Sequence, residues 1–223
     1  MKHIYFLAIT LTVLFISCKK SGTDTTPAAE KFMTYSAGST WNYQQVNNIP
    51  PVTTTTFSRV STNRDSSIGS RSYHVFINSS TSASEYYGNS GNDYYTYQKL
   101  ADALGGTKVE NLYLKDNADV NVTWSQPYNI SFSGVPLVVT VTNKIKEKGI
   151  SKTVNGISYT NVIHVETTLA VAGIPSSALV TDIQFYYAPK TGLIESTNKV
   201  TLNYMGINNQ TDITTRLLSA TIL

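Results

Sequence analysis

Apolar and polar residues alternate with a period of two along most of the chain beyond residue 31, and turn-forming residues interrupt the alternation at short intervals. No convincing long helix is found, so the chain must bury its apolar side by pairing strands. The segment 136–171 tests this best. Asn155-Gly156 tolerates the positive φ of a type I′ turn at both positions, and pairing outward joins Val154 to Ile157 and Lys152 to Tyr159. Continued rigidly, that register sets Ile145 against Glu166, which no sheet with one buried face tolerates. One unpaired residue at or beside Gly149 corrects it. Ile145 then meets Val165, Val141 meets Leu169 and Val139 meets Val171, with Lys144 opposite Glu166 and Lys146 opposite His164 on the other face.

The same pattern predicts strands over residues 40–46, 52–60 and 72–78, the last with Tyr73, Val75 and Ile77 on one face. Asn47-Asn48-Ile49-Pro50-Pro51 separates the first two. Residues 85–100 read as a hairpin turning on Asn89-Ser90-Gly91-Asn92, 101–107 as a single helical turn, and 109–114 and 119–125 as strands, the second ended by Pro127. Residues 181–187 turn through Ala188-Pro189-Lys190-Thr191-Gly192 into 193–204. Asn208-Asn209-Gln210 is the expected last turn, before a final strand over 213–222. The expectation is an all-β, mainly antiparallel domain of roughly ten to twelve strands with little helix: a large curved sheet, an open barrel or a sandwich.

Composition agrees. Charged residues are 14% of the chain, against roughly 25% in an average soluble protein, and Ser, Thr and Asn stand in for them. Fifteen tyrosines with abundant Thr and Val favour strands. A formal charge of +3 is too slight to imply a nucleic-acid partner.

Met1-Lys2-His3 is a short basic start, and residues 4–16 form an uninterrupted apolar run of signal-peptide length, too short to span a bilayer comfortably. Ser17 and Cys18, the single cysteine, follow it. This start resembles a bacterial lipoprotein signal, with Phe15-Ile16-Ser17-Cys18 at the place of the Leu-Ala-Gly-Cys-like box. The resemblance implies cleavage after residue 17 and acylation of Cys18, which anchors a protein by about 0.8 kcal/mol per buried methylene. An ordinary secretory peptide or an uncleaved anchor helix would share the apolar run, and the two lysines and polar tail after Cys18 weigh against both. Residues 18–31 are then the acylated cysteine and a flexible tether, and 32–223 a single β domain. With Cys18 spent on lipid, no disulfide is available. Lys19 is not the aspartate of inner-membrane retention, so outer-membrane attachment is expected, on the periplasmic side or at the cell surface.

Gly38-Ser39-Thr40-Trp41-Asn42-Tyr43 and Tyr186-Tyr187-Ala188-Pro189-Lys190-Thr191-Gly192-Leu193-Ile194 resemble the Gly-x-x-Trp-x-Tyr opening and Tyr-Tyr-Ala-Pro-x-x-Gly-Leu-Ile closing hairpin of a broad group of uncharacterised bacterial lipoproteins. Some lipoproteins of similar build wrap a curved antiparallel sheet around an apolar cavity that receives lipid. The resemblance carries no catalytic residue across.

The search for chemistry returns little. Beyond the signal only His74 and His164 remain, and no Asp or Glu cluster has metal-ligand spacing, so neither metal nor other cofactor is expected. Gly-x-Ser-x-Gly and phosphate-binding glycine loops are missing from the sequence. His164 and Glu166 share a strand face and read as part of a surface ladder. Tyr86, Tyr87, Tyr94, Tyr95 and Tyr97 crowd one hairpin and are the candidate ligand-binding residues, because tyrosine pairs an apolar body with a polar tip. Cross-strand packing is the plainer use of the same residues. The expected function is non-catalytic: a binding or structural domain of an envelope lipoprotein, for a hydrophobic or lipid-like ligand or, through exposed tyrosines, for a glycan or protein. An extracytoplasmic hydrolase, built if Glu85, Asp93, Glu110 or Asp182 meet in the fold, is the alternative of another class.

Overall fold

A computed structural model describes residues 31–99, 108–132 and 135–223. The expected lipidation site Cys18, most of the expected tether and the expected helical turn at 101–107 lie outside the described residues. Within them the chain forms twelve antiparallel strands and no helix: β1 (Thr40–Asn47), β2 (Thr53–Ile68), β3 (Arg71–Asn78), β4 (Ser84–Ser90), β5 (Asp93–Lys99), β6 (Lys108–Lys115), β7 (Thr123–Phe132), β8 (Val135–Val154), β9 (Ile157–Val171), β10 (Leu179–Ala188), β11 (Gly192–Tyr204) and β12 (Ile207–Thr221). Each strand pairs with the next, except β6 with β7, and β12 pairs back onto β1. Of the three architectures open to the sequence, the chain adopts the barrel, nearly closed, with β6 and β7 as its two edges.

Those edges meet through side chains instead of a backbone ladder. Trp124 Nε1 donates to Leu112 O at 2.7 Å and Asn143 Nδ2 to the same oxygen at 3.1 Å, while the Leu112 N–H donates to Gln126 Oε1 at 2.8 Å. Tyr128 Oη donates to Glu110 O at 2.8 Å. Residues 124, 126 and 128 alternate along β7, so one face of that strand satisfies the exposed edge of β6 that would otherwise invite pairing with another chain. Pro127 does not end this strand as the sequence suggested. It pairs with Thr140 inside β7, which an edge strand permits because no ladder bond is required of its nitrogen.

The long hairpin has the expected ends. Val139, Val141, Lys144 and Ile145 face Val171, Leu169, Glu166 and Val165, and Val154 and Lys152 face Ile157 and Tyr159. The slip is distributed differently. Gly149, at φ +73°, is unpaired, but an extra residue beside Asn161 (φ +55°) on β9 offsets it. The net one-residue shift falls at Lys146, so Glu147 and not Lys146 faces His164. The last turn is also displaced: it is Met205-Gly206, with φ +49° and +82°, and Asn208 and Asn209 lie within β12. Methionine rarely adopts positive φ, so the sequence around residue 205 carried no turn signal comparable to the asparagines that follow.

The apolar face points inward. Trp41, Phe76, Ile145, Val165, Ile194 and Leu217 are wholly buried, the reverse of a membrane-spanning barrel with its apolar band outside. At the start of the described residues, Phe32 and Met33 enter one end of the barrel as a strap. Lys190 N donates to Lys31 O at 2.6 Å, Phe32 N to Tyr94 Oη at 3.0 Å and Thr34 Oγ1 to Lys190 O at 2.9 Å. Gly192, at φ +79°, is required here twice over, because a Cβ would also lie 2.9 Å from Met33 Sδ and 3.2 Å from Phe32 O. The two sequence motifs meet at this end: Trp41 Nε1 donates to Thr191 O at 2.7 Å and Tyr43 Oη to Leu193 O at 3.0 Å.

Candidate functional site

Two apolar clusters fill the barrel unequally. Phe32, Trp41, Phe76, Ile163 and Leu217 belong to the larger, at the strap end; Ile130, Val139, Val141, Val171, Leu179 and Leu202 form the smaller, toward the other end. Between them is a cavity of about 470 Å³ walled by residues of both, within the roughly 300–1,000 Å³ of small-molecule sites. Met33 and a run of aromatic rings make its inner end. Phe76 packs edge-on against Tyr87 at 5.3 Å, Tyr87 against Tyr113 at 6.2 Å, and Tyr113 lies 5.3 Å from Tyr187. Val141, Leu169, Val200 and Leu202 line its sides, and at the end away from the strap it extends to the exposed Gln98 and Lys99.

One ion pair stands in this wall. Arg59 Nε lies 2.5 Å from Glu85 Oε2, with the guanidinium 4.8 Å from the centre of the Tyr87 ring and 5.3 Å from that of Tyr43. Asn78 Nδ2 donates to the other Glu85 oxygen at 2.8 Å. Burial opposes the Arg59 charge, and Tyr87, Glu85 and Tyr43 more than reverse that, so its pKa is raised. Burial likewise pushes Glu85 up, but Arg59 and the Asn78 and Arg59 hydrogen bonds bring it below the usual carboxylate value. Burial also raises Tyr43, to about 12, and holds Tyr87, Tyr113 and Tyr187 above their ordinary range. These phenols are neutral at working pH and act as ring faces and hydrogen-bonding groups.

Two wall residues are polar without a partner. Asn111 Oδ1 and Asn198 Oδ1 are buried and accept no hydrogen bond. Asn143 and Thr167, in the same wall, satisfy each other at 2.6 Å.

The five tyrosines singled out in the sequence separate by strand face. Tyr87 lines the cavity. Tyr94 is fully buried in the strap-end core, accepting from Phe32 N and donating to Asp116 Oδ2 at 2.7 Å. Tyr86, Tyr95 and Tyr97 are half-buried on the outer face, where Tyr86 and Tyr97 pack edge to face at 6.3 Å and Arg71 covers Tyr95 at 3.4 Å. Arg71 and Tyr73 both hydrogen-bond Glu110 there.

His164 is more enclosed than a surface ladder requires. It lies between Glu147 (2.8 Å) and Gln184 (2.7 Å) and stacks on Tyr186 at 4.2 Å. A Ser–His–Asp file also exists that no sequence motif announced: Ser61 Oγ is 2.9 Å from His74 Nε2, and His74 Nδ1 is 2.8 Å from Asp65 Oδ1. These are the partners of a hydrolytic triad. Ser61 is only 2% exposed, however, and donates its single hydroxyl hydrogen to Tyr35 O at 3.0 Å in the strap. The file therefore fastens the strap to β2 and β3. Among the described residues, no three His, Cys, Asp or Glu side chains converge on a point where they could hold a metal ion.

Sequence reasoning missed Arg59, Asn111 and Asn198. A signal existed: Arg59 shares its strand face with Phe57, Asn111 with Val109 and Tyr113, and Asn198 with Ile194 and Val200, each a polar residue on an apolar stripe.

No protein-family model matches the chain, and no curated protein matches it. A solved crystal structure, that of a putative lipoprotein from Parabacteroides distasonis ATCC 8503, has a similar fold, with a TM-score of 0.52 over 86% of this chain and 99% of that one at 10% identity. At that identity the likeness concerns the fold alone.

Proposed function

We propose that the chain is a non-catalytic envelope lipoprotein, acylated at Cys18 and held at the outer membrane, whose barrel takes up a hydrophobic or lipid-like ligand. The observation that carries this reading is the cavity of about 470 Å³ between the two clusters, largely apolar in its side walls and reaching exposed residues at one end. A protein interior is normally packed without voids larger than a water molecule, so a space of this size is a feature of the fold and not a packing defect. The putative lipoprotein of similar fold supports the anchoring part of the reading, as does the lipobox-like start of the sequence.

Surface recognition through tyrosines has less support, because Tyr86, Tyr95 and Tyr97 are engaged with one another and with Arg71. Catalysis has less still, given the buried Ser61 hydroxyl.

The test is binding of N-phenyl-1-naphthylamine, a neutral dye that fluoresces in apolar surroundings, to the purified protein. A saturable one-site rise, displaced by long-chain amphiphiles, is expected; a protein that leaves the dye dark has no such cavity in solution. Anchoring is tested separately by Cys18→Ser, which should move the protein from the membrane fraction to the soluble one.

A further inference from the structure

The unpartnered oxygens around the cavity are of two kinds. Tyr35 Oη, Asn111 Oδ1 and Asn198 Oδ1 are sealed by packed atoms, so nothing in the cavity reaches them. Tyr113 and Tyr187 differ. Both project into the barrel and line the cavity, no described residue hydrogen-bonds either hydroxyl, and neither hydroxyl is among the sealed atoms. Each hydroxyl therefore opens into the cavity, at its inner end, where the two rings lie 5.3 Å apart.

Arg59 adds a third open donor to the same wall. Its Nε donates to Glu85 and its Nη1 faces Tyr43 Oη at 3.5 Å, while Nη2 donates to no described residue and is not sealed. The guanidinium is near enough to Tyr187 to act against the burial, Tyr87 and Tyr43 that raise its pKa. Thr96, Gln98 and Asn143 also line the cavity, so water finds ample partners here, and a ligand that displaces it must return its hydrogen bonds. Arg59 offers hydrogens only, and each phenol has one to give. The group that answers these donors is an acceptor.

We infer that the ligand carries a compact neutral carbonyl group, as in a ketone, ester or amide, which enters first and accepts from the Tyr113 and Tyr187 hydroxyls beside Arg59, while its hydrocarbon part lies along Val141, Leu169, Val200 and Leu202. This rests on the cavity reading above and narrows it to a chemical class. The carbonyl end is compact because the strap closes the barrel behind these residues. A carboxylate fits less well, since Glu85 already neutralises Arg59 and a second buried carboxylate would lack a cation. A plain hydrocarbon would strip the donors of water and give nothing back, and a site built of polar groups discriminates steeply against such a ligand.

The test compares two neutral dyes on the purified protein: N-phenyl-1-naphthylamine, which has no carbonyl, and 6-propionyl-2-(dimethylamino)naphthalene, a ketone whose emission moves to the red when its carbonyl accepts a hydrogen bond. Titration gives a dissociation constant for each. Y113F/Y187F keeps both rings and removes only hydroxyls that no described protein group uses, so it should unfold at the same urea concentration as the parent. It is expected to weaken the ketone relative to the amine dye by about tenfold, the worth of one buried hydrogen bond, and to move the emission of the bound ketone to the blue. A parent that binds the amine dye and not the ketone, an affinity ratio the variant leaves unchanged, or an unmoved emission overturns the inference and leaves apolar binding standing. If the parent binds neither dye, the cavity reading falls together with it. Should the double variant not fold, Y113F and Y187F, each read by the same two measurements, decide the matter.

Discussion

At the strap end, Phe32 and Met33 close the barrel, Trp41 and Tyr43 hydrogen-bond the β10–β11 turn region, and aromatic rings pack in unbroken succession from Trp41 through Phe76 to Tyr87. At the other end, Val141, Val171, Leu179 and Leu202 form a thinner shell around space. The same β10, β11 and β12 contribute to both regions, so strand pairing is not what differs. Side-chain volume differs: Trp, Tyr and Phe dominate the inward face near the strap, whereas beyond it Val, Leu, Thr and Asn prevail, with Tyr128 among them. The packed end holds the closed barrel together, and the hollow end is freed for a ligand.

That division predicts unequal sensitivity to truncation. Trp41→Ala should cost about 3–5 kcal/mol in urea unfolding and leave Thr191 O without its donor. Leu202→Ala, in the cavity wall, should fall near the low end of the roughly 2–5 kcal/mol range for such changes, because its neighbours already adjoin a void. Equal losses would break the comparison. Arg59→Met, which strands Glu85 in the wall, should cost about 3 kcal/mol. Glu85 has a folded-state pKa below its unfolded value, so its contribution is complete above the ordinary carboxylate range and is lost as pH falls through and beneath that range. Glu85→Gln should therefore flatten that part of the acid limb of the melting-temperature profile. Gly192→Ala, forced to positive φ against Met33, should cost about 1–3 kcal/mol and expose the strap around residues 31–36 to limited proteolysis.

Much of the fold was legible because strand pairing is local chemistry. The Asn155-Gly156 turn and the register Val139 to Val171 follow from alternation and turn geometry alone, as does the hairpin on Gly91. Barrel closure was not legible. It depends on β1 meeting β12 across the whole chain and on Trp124, Gln126, Tyr128 and Asn143 reaching the edge of β6, contacts that no local pattern encodes. The site was less visible still. Crowding on one hairpin brought forward Tyr86, Tyr87, Tyr94, Tyr95 and Tyr97, but alternation sends Tyr87 and Tyr94 inward and the other three outward, and only Tyr87 reaches the cavity. Arg59, Asn111 and Asn198 come singly from β2, β6 and β11, so nothing along the chain gathers these three together.

The smallest expected change in stability gives the sharpest test of the hollow end. Val200 lies half-buried on the cavity side of β11. In a close-packed core, Val→Phe would force off-rotamer side chains at about 1–3 kcal/mol. Here the added ring has space to occupy, and the apolar surface it buries offsets what strain remains, so V200F should unfold within about 1 kcal/mol of the parent. It should also lose at least about tenfold in affinity for N-phenyl-1-naphthylamine, since the ring takes the volume the dye requires. A large destabilisation would mean that the space is closed in solution. Unchanged dye binding at full stability would place the dye elsewhere on the barrel and separate the void from the function assigned to it.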